Sequence, residues 1–388
     1  MPGFGHVADT TNSLTAYVFT SLRARIAAHE GPLHRLHIGD TWREPVASAR
    51  CEELDSERHP MLMTYAPVHG IKPLLGAIGD KIERRSGVRV PRERIQVVPG
   101  ATGGLSAICQ ALFNPGDEVL LPSPFWPLIR GVISSCGARP IQVPFYDRLT
   151  DEAFDPEAAL EAAITERTAA IYLNSPHNPT GVILDDAVAS AVARVAARHD
   201  LWVLSDEVYE DIYFGDEAPT PLWTRPDLRD RTLAVHSLSK GHGMAGSRVG
   251  YVHGPEVAMR AIRAVQTFQS YCASKPMQLA ASRALADGEP WLDEARRLYG
   301  QAGRAAADAL GLPHPAGGTF LFFDASPWIG SEDSSLAFLE RCVDAGVVLT
   351  PGGASGEGYE TWVRLCFTCV SPDELSVALE KLAPLMPR

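Results

Sequence analysis

Short apolar runs rich in β-branched residues alternate with helical patterns through the middle of the chain. The apolar runs lie at residues 95–99, 119–121, 169–173, 201–204 and 232–236. Apolar residues recur every three or four positions in segments such as 71–82 and 188–195, which is typical of amphipathic helices. Strands joined by helices form crossover units, so this pattern predicts an α/β protein with a mainly parallel sheet flanked by helices.

The pattern changes near residue 288, and residues 289–388 are predicted to form a smaller α+β domain. This part contains a long helix rich in Arg and Ala, a strand that is entered at Gly317 and Gly318, a helix near 333–345, and a last helix from Pro372. Residues 46–288 are predicted to form the larger domain. Residues 1–45 are expected to be an N-terminal arm that joins the smaller domain, because its strand-like run at 36–39 is too short to form a core alone.

Composition narrows the class of protein further. The 388 residues, 45% of them apolar and 21% charged, can bury a core larger than one domain of roughly 100 to 200 residues requires. The formal net charge is −12, and basic clusters such as 81–85 are short and resemble exposed helix ends, which argues against nucleic acid as a partner. Seven scattered cysteines, no signal-like N-terminus and no run of about 18 apolar residues predict a cytoplasmic protein without a membrane partner.

Lys240 is the first candidate for chemistry. It is one of five lysines in the chain, and it ends the run His-Ser-Leu-Ser-Lys that begins at His236. Two serine hydroxyls precede it, and Arg248 follows it. A lysine in an enclosed site can lose its proton and attack a carbonyl carbon, so Lys240 can carry pyridoxal phosphate (PLP) through a Schiff base.

Two loops that follow apolar runs supply further candidates. Gly100, Ala101 and Thr102 open a helical pattern, so their backbone N–H groups and the Thr102 hydroxyl can bind a phosphate. A glycine turn needed only for packing is an equal alternative, and the full G-x-G-x-x-G of dinucleotide-binding folds is absent. Trp126 follows the next run and can stack on a ligand ring, although a partly buried core tryptophan has the same signature.

The strongest local motif is Asn-Ser-Pro-His-Asn-Pro-Thr-Gly at residues 174–181, which presents the Asn178 amide at the end of an apolar run. Asp206 ends the next run, where a carboxylate is costly unless it meets a positive group such as a protonated pyridine nitrogen. A charge-assisted hydrogen bond of this kind contributes roughly 1.5 to 3 kcal/mol. Taken singly, Asp206 is equally well a helix cap or half of an ion pair, and Tyr209 a packing residue.

In their order along the chain, these motifs resemble the class I and II aminotransferases, which are fold type I PLP-dependent enzymes. The resemblance spans residues 36–385 and rests on Tyr65, Gly70, Gly100, Ala101, Thr102, Trp126, Asn178, Pro179, Gly181, Asp206, Tyr209, Ser237, Ser239, Lys240, Arg248, Gly250, Tyr251 and Arg364. The runs Pro-His-Asn-Pro-Thr-Gly and Asp-Glu-Val-Tyr-Glu look most like the branch that contains kynurenine and methionine aminotransferases and cystathionine β-lyases. The resemblance implies transfer of an amino group between an L-amino acid and a 2-oxo acid.

The resemblance also implies how the cofactor is held. Lys240 would form the Schiff base and, once substrate releases it, would move a proton between the substrate α-carbon and the cofactor. Asp206 would bind the pyridinium nitrogen, Asn178 and Tyr209 would hydrogen-bond the 3′ oxygen, and Trp126 would stack on the ring. The phosphate would be bound by Gly100, Ala101, Thr102, Ser237, Ser239 and Arg248, and by Tyr65 from the neighbouring subunit.

The same resemblance implies the substrate contacts and the assembly. Arg364 would bind the substrate carboxylate through its planar guanidinium, with the Gly39 backbone opposite and Asn178 beside it. A strand arginine in a surface ion pair is the alternative interpretation of Arg364. The role of Tyr65 implies a homodimer. This chain departs from the family pattern at 39–42, 241–243, 247 and 354–356, which leaves the amino donor and the 2-oxo acid open.

Other classes of protein fit these residues less well or equally well. A PLP-dependent lyase or cyclase of a specialised amino-acid pathway would share every motif, because these reactions pass through the same carbanion. A PLP-binding regulator would need a DNA-binding segment, and the residues before the predicted fold are too few for one. A nicotinamide oxidoreductase would need the missing glycine fingerprint. Cys366 and Cys369 have the spacing of a redox or metal pair, but without a second pair we predict buried cysteines and no metal.

Overall fold

The computed structural model describes residues 5, 7–11, 14, 22–330 and 334–386; residues 1–4, 6, 12–13 and 15–21 of the predicted N-terminal arm lie outside this range. The strands are β1 (His34–Arg35), β2 (Ile95–Val98), β3 (Glu118–Ser123), β4 (Arg139–Pro144), β5 (Thr168–Asn174), β6 (Trp202–Asp206), β7 (Thr232–Ser237), β8 (Gly250–His253), β9 (Phe320–Asp324), β10 (Val347–Val348), β11 (Thr350–Pro351) and β12 (Trp362–Cys366). The α-helices are α1 (Arg23–Ala28), α2 (Lys72–Ser86), α3 (Gly100–Leu112), α4 (Ile129–Ser134), α5 (Pro156–Glu161), α6 (Asp186–Arg198), α7 (Glu256–Gln269), α8 (Lys275–Asp287), α9 (Glu289–Leu310), α10 (Leu336–Asp344) and α11 (Pro372–Leu382).

Seven of the described strands form one large sheet, in the order β2-β8-β7-β6-β5-β3-β4. The strands from β7 to β4 in this order pair in parallel, whereas β8 is antiparallel to both of its neighbours. The central strands are buried on both faces, and for that reason their sequences are almost continuously apolar. The predicted α/β class with a mainly parallel sheet is confirmed.

Helices cover both faces of this sheet. Leu105 of α3 and Ile262 of α7 are buried on one face, and Val192 of α6 is buried on the other. Consecutive residues of a strand alternate between the faces, so in β5 Ile171 packs with α6 while Tyr172 lies on the α3 side. Parallel strands end at the same edge, and the loops after β3, β5, β6 and β7 therefore meet there.

A second, smaller sheet is antiparallel and has the order β11-β12-β9, and β1 pairs in parallel with β10. Phe323, Phe338 and Leu379 belong to the core that α9, α10 and α11 form with these strands. The long helix predicted after residue 288 and the last helix from Pro372 are confirmed as α9 and α11. None of the helices in the described ranges combines the length and the apolar character needed to cross a membrane.

Local structure differs from the sequence prediction at several strands. The N-terminal strand is His34–Arg35, not residues 36–39, because the chain leaves β10 at Leu36, whose carbonyl accepts a hydrogen bond from the Cys366 N–H at 2.8 Å. The strands β4 and β8 were not predicted. β4 is an edge strand that contains Arg139, Pro140 and Pro144, and prolines weaken a strand pattern.

The prediction that residues 81–85 are an exposed helix end holds for Glu83 and Arg84 near the end of α2, but it is wrong for Lys81 and Arg85. Lys81 is 5% exposed, and its ammonium lies 2.5 Å from an Asp211 oxygen and 2.9 Å from a Glu210 oxygen. The Arg85 guanidinium contacts the same two carboxylates. These carboxylates compensate the buried cations. Asp211 is 130 positions from Lys81 in the chain, so no local sequence pattern indicates the pairing.

Candidate active site

A cavity of about 200 Å³ lies at the sheet edge where β3, β5, β6 and β7 end. It is lined by most of the predicted site residues, namely Gly39, Ala101, Thr102, Trp126, Asn178, Asp206, Tyr209, Ser237, Ser239, Lys240, Arg248 and Arg364. Its wall also includes Leu105, Asn174, Val208 and Phe320, which sequence reasoning missed. Asn174 could have been inferred from its place in the motif at 174–181. Phe320 belongs to the smaller sheet and has no local signal.

Lys240 extends into this cavity from the loop after β7. Its Nζ donates a hydrogen bond to the carbonyl oxygen of Gly39 and lies 3.8 Å from Asp40 Oδ1. The pKa of Lys240 is lower than that of an ordinary lysine, first because burial penalises the ammonium; Asp40 opposes the shift, while Arg248 and Arg364 add to it. The neutral amine is the form that attacks a carbonyl, so these surroundings favour the reactive state.

Asp206 is the last residue of β6, and Asn178 lies in the loop after the neighbouring parallel strand β5. Asp206 is 5% exposed, and burial raises its pKa to about 6. Its oxygens accept hydrogen bonds from the Tyr172 hydroxyl at 2.6 Å and from the Val208 backbone N–H at 3.3 Å. The Asn178 amide donates to the Tyr209 hydroxyl at 3.3 Å. A cation placed against Asp206 would stabilise the carboxylate form that burial disfavours.

An anion-binding arrangement forms where α3 begins. The first residue of this helix, Gly100, has φ 71°, and a Cβ on it would lie 2.5 Å from Arg248 Nη2, so glycine lets the guanidinium approach the helix end. The first N–H groups of a helix lack partners within the helix and carry partial positive charge. The Ser237 hydroxyl donates to Ser239 Oγ at 2.7 Å, and both residues line the cavity. Together these groups suit a phosphate dianion.

Arg364 reaches the cavity from β12 of the smaller sheet. It is 8% exposed, and its guanidinium donates hydrogen bonds to Asn178 Oδ1 at 3.0 Å, to the His37 carbonyl oxygen at 3.2 Å and to Thr350 Oγ1 at 3.3 Å. The guanidinium also lies 4.3 Å from the ring centre of Phe320. Within the described ranges, its Nε has no hydrogen-bond partner and no carboxylate is paired with it. A buried cation of this kind is costly until an anion binds it.

Tyr65 is a predicted site residue that does not reach the cavity of its own chain. It is 82% exposed, and its ring meets the edge of Tyr271 at a centroid distance of 5.2 Å. Gly39, in contrast, lies directly against Phe320, because a Cβ at this position would be 2.8 Å from the phenyl ring. The close approach explains why glycine occupies position 39, and it joins the N-terminal segment to the smaller sheet at the cavity.

The departure from the family pattern at Gly241 has a structural reason. A Cβ on Gly241 would lie 2.8 Å from Asp211 Oδ2, so the position has no room for a side chain. Asp211 belongs to the buried charged cluster with Lys81 and Glu210. This cluster therefore packs directly against the loop that carries Lys240.

Cys366, the last residue of β12, and Cys369 are free thiols. Cys366 is buried, and its Sγ lies 3.5 Å from Thr368 Oγ1 and 3.6 Å from the Asp40 carbonyl oxygen. Cys369 is only partly buried, and its Sγ donates to the carbonyl oxygen of Cys366 at 3.3 Å. The prediction of buried cysteines is confirmed for Cys366, whereas Cys369 is only partly buried.

Comparison with known proteins agrees with this geometry. The pattern of the aminotransferase class I and II family matches residues 34–382. The chain is 37% identical over 309 residues to an arginine–pyruvate transaminase of Pseudomonas aeruginosa, covering 78% of this chain and 77% of that protein. It is 33% identical over 335 residues to an aspartate/prephenate aminotransferase of Thermus thermophilus, covering 84% and 83%.

Solved structures show the same fold. The aspartate aminotransferase of Rhizobium meliloti has a TM-score of 0.90 at 27% identity, over 99% of this chain and 99% of that chain. The N-succinyldiaminopimelate aminotransferase of Mycobacterium tuberculosis has a TM-score of 0.89 at 28% identity, over 98% and 100%.

The sheet and cavity define a fold type I PLP-dependent transferase, and the residues present fit that cofactor. The Lys240 amine can bond its carbonyl carbon, the buried Asp206 carboxylate can face a protonated ring nitrogen, and the helix end at Gly100 can bind its phosphate. The chain belongs to the class I and II aminotransferase family. It is a PLP-dependent aminotransferase, and the prediction of amino-group transfer is confirmed.

Proposed function

We propose that the cavity at the carboxyl edge of the large sheet is the transamination site, with Lys240 as cofactor anchor and proton carrier and Arg364 as the carboxylate-binding residue. The observation that carries this proposal is that Lys240, in the loop after β7 of the large sheet, and Arg364, on β12 of the smaller sheet, line one cavity. When bound, the cofactor supplies an electron sink that stabilises negative charge at the substrate α-carbon.

Lys240 is suited to carry a proton in this site. Burial lowers its pKa, so a larger fraction of the side chain is the neutral amine than for an exposed lysine. In this site the Nζ would hold and move the proton of the substrate α-carbon. The Gly39 carbonyl oxygen accepts a hydrogen bond from Nζ and so limits where the amine points.

The cofactor ring would be oriented by side chains at or just after the ends of β3, β5 and β6. Asp206 would face the ring nitrogen, Asn178 and Tyr209 would donate to or accept from the 3′ oxygen, and Trp126 would cover one face of the ring. Residues that would bind the phosphate are Gly100, Ala101, Thr102, Ser237, Ser239 and Arg248.

The substrates proposed for this site are 2-amino acids and 2-oxo acids, because both carry a carboxylate next to the reacting carbon. Arg364 has a buried guanidinium without a carboxylate partner in the described part of the chain, and its Nε is left without an acceptor. The Asn178 amide oxygen accepts a hydrogen bond from this guanidinium, and Gly39 lines the same cavity. The names of the relatives cover arginine, aspartate, prephenate and N-succinyldiaminopimelate, so they do not select one amino donor for this chain.

We further propose that the active form is a cytoplasmic homodimer in which Tyr65 contacts the phosphate in the partner's site. The neighbouring residues Met61 and Met63 are exposed, and so is Tyr271, whose ring contacts Tyr65. Exposed apolar clusters of this kind mark protein interfaces.

We also propose the division into an arm at 1–45, a large domain at 46–288 and a small domain at 289–388.

Borohydride reduction tests the assignment of the anchor. The purified protein should absorb as a PLP enzyme, and reduction followed by peptide mapping should find the cofactor on the peptide that contains Lys240. Lys240→Ala should abolish turnover of a panel of amino acids whose products are identified by mass spectrometry. A reduced cofactor on Lys72, Lys81, Lys275 or Lys381 would overturn the proposed site. An elimination or cyclisation product in the wild-type panel would favour the lyase or cyclase reading of the site.

A further inference from the structure

Tyr172 is a buried residue that the predicted site does not include. It lies on β5, two residues before Asn174, and it is 2% exposed. Its hydroxyl donates a hydrogen bond to Asp206 Oδ2 at 2.6 Å. In the sheet register Tyr172 is paired with Leu204 and Asn174 with Asp206, so the tyrosine reaches diagonally across to the neighbouring strand.

The contact gives the Asp206 carboxylate a neutral hydrogen-bond donor, whereas burial disfavours the ionised form of this group. Burial is the largest influence on Asp206 and raises its pKa, whereas the hydrogen bond from Tyr172 is the largest influence that lowers it. The pKa of Tyr172 is itself raised well above the ordinary tyrosine value, first by burial and then by the charge of Asp206. The phenol therefore stays protonated and remains a donor.

The other ionisable groups around Asp206 come from three neighbouring elements. His236 on β7 lowers the pKa of Asp206, and Glu210 holds the His236 pKa above its ordinary value despite burial. Tyr209, in the loop after β6, and Tyr146, which follows β4, are both kept neutral by burial, which raises their pKa. Tyr172 is the tyrosine whose hydroxyl touches the carboxylate.

We propose that Tyr172 is a positioning residue that keeps the Asp206 carboxylate ionised and aimed at the ring nitrogen of the cofactor. One Asp206 oxygen accepts from Tyr172 and the other from the Val208 N–H, so the carboxylate plane is held from two sides. The inference rests on the proposed role of Asp206. Its first consequence, however, concerns only the titration of Asp206 and does not require turnover.

The titration is measured on the full-length protein freed of cofactor. Carbon-13 NMR of the Asp206 carboxyl, assigned by its loss in Asp206→Asn, gives the pKa of this group. A hydrogen bond to a charged group is strong enough that Tyr172→Phe should raise this pKa by about one to two units. The matched control is Tyr146→Phe, because Tyr146 is equally buried but bonds the backbone of Asn174. It should leave the Asp206 pKa near the wild-type value.

The second measurement uses the loaded enzyme and a double-mutant cycle. Tyr172→Phe should slow single-turnover loss of the substrate α-proton by about tenfold or more in the wild-type background, and should slow it no further in the Asp206→Asn background. Thermal unfolding of each variant identifies any that is merely unfolded.

An unchanged Asp206 pKa in folded Tyr172→Phe, or equal slowing in both backgrounds, would overturn the inference. If Asp206→Asn itself left the proton-abstraction rate unchanged, the proposed function would fail instead, and the titration would still decide whether Tyr172 governs Asp206.

Discussion

Arg364→Lys separates substrate binding from cofactor binding. The guanidinium of Arg364 is held in one plane by Asn178, His37 and Thr350, and it rests on the ring of Phe320. A planar guanidinium can donate two parallel hydrogen bonds to a carboxylate, whereas an ammonium is a point charge on a flexible stem. The substitution keeps the positive charge and removes the planar pair of N–H donors.

The size of the effect follows from these contacts. Lysine loses one charge-assisted hydrogen bond to the substrate, which is worth roughly 1.5 to 3 kcal/mol. It also leaves the His37 carbonyl and the Asn178 amide oxygen without their donor. We therefore expect kcat/KM for amino acids to fall about 10²-fold, equivalent to about 2.7 kcal/mol. The cofactor spectrum should not change.

The assay compares each amino acid with the matching amine that lacks the carboxylate. Steady-state kcat/KM for the amine should change little in Arg364→Lys, because the amine has no carboxylate to accept hydrogen bonds from the guanidinium. Arg297→Lys is a matched control, since Arg297 lies on the exposed face of α9 and pairs with Glu294. Equal losses for amino acid and amine, or a displaced cofactor, would show that Arg364 supports the fold and that the carboxylate binds elsewhere.

Three further predictions address charge and assembly. Burial raises the Asp206 pKa from 3.8 to about 6, so the folded protein binds a proton at Asp206 more tightly than the unfolded chain does. The resulting stabilisation is fully present below the unfolded pKa and is lost as the pH rises through about 6. Asp206→Asn should therefore raise the Tm of the cofactor-free protein at about pH 8 but not at about pH 4, and a shift of the same size at both would contradict this reasoning. Lys81→Met leaves two buried carboxylates short of a cation and should lower the free energy of unfolding by about 3 kcal/mol, whereas Lys72→Met at an exposed position should have little effect; similar values for both would refute the buried pairing. Mixed dimers of Tyr65→Phe and Lys240→Ala subunits should contain one intact site if Tyr65 acts across the interface, and cofactor affinity at that site should equal that of wild type. A weakened site in the mixed dimer would place Tyr65 in its own subunit's site, and unchanged cofactor affinity in the Tyr65→Phe homodimer would place it outside any site.

Much of the site could be predicted from sequence because its residues follow strand ends. Asp206 ends an apolar run, Asn178 sits in a proline-rich turn after another, and Lys240 follows a third. The ends of parallel strands share one edge, so local patterns were enough to place these side chains together. The glycine at position 100 could be inferred in the same way, since it opens a helix directly after a strand.

Contacts between distant segments could not be predicted in this way. The sequence shows Tyr172 only as an apolar strand residue and Lys81 only as a charged helix residue, yet each is buried against a carboxylate from another element. Phe320 covers both Gly39 and Arg364 from the smaller sheet, although nothing near it in the sequence signals a ligand.

Sequence periodicity therefore determined the fold class, and the resemblance of the motifs to a known family implied the cofactor and the residues at the strand ends. The tertiary structure decided which charges are buried and what compensates them. The free energy of a buried charge depends on partners brought close by packing, and those partners lie at separations that no local pattern records.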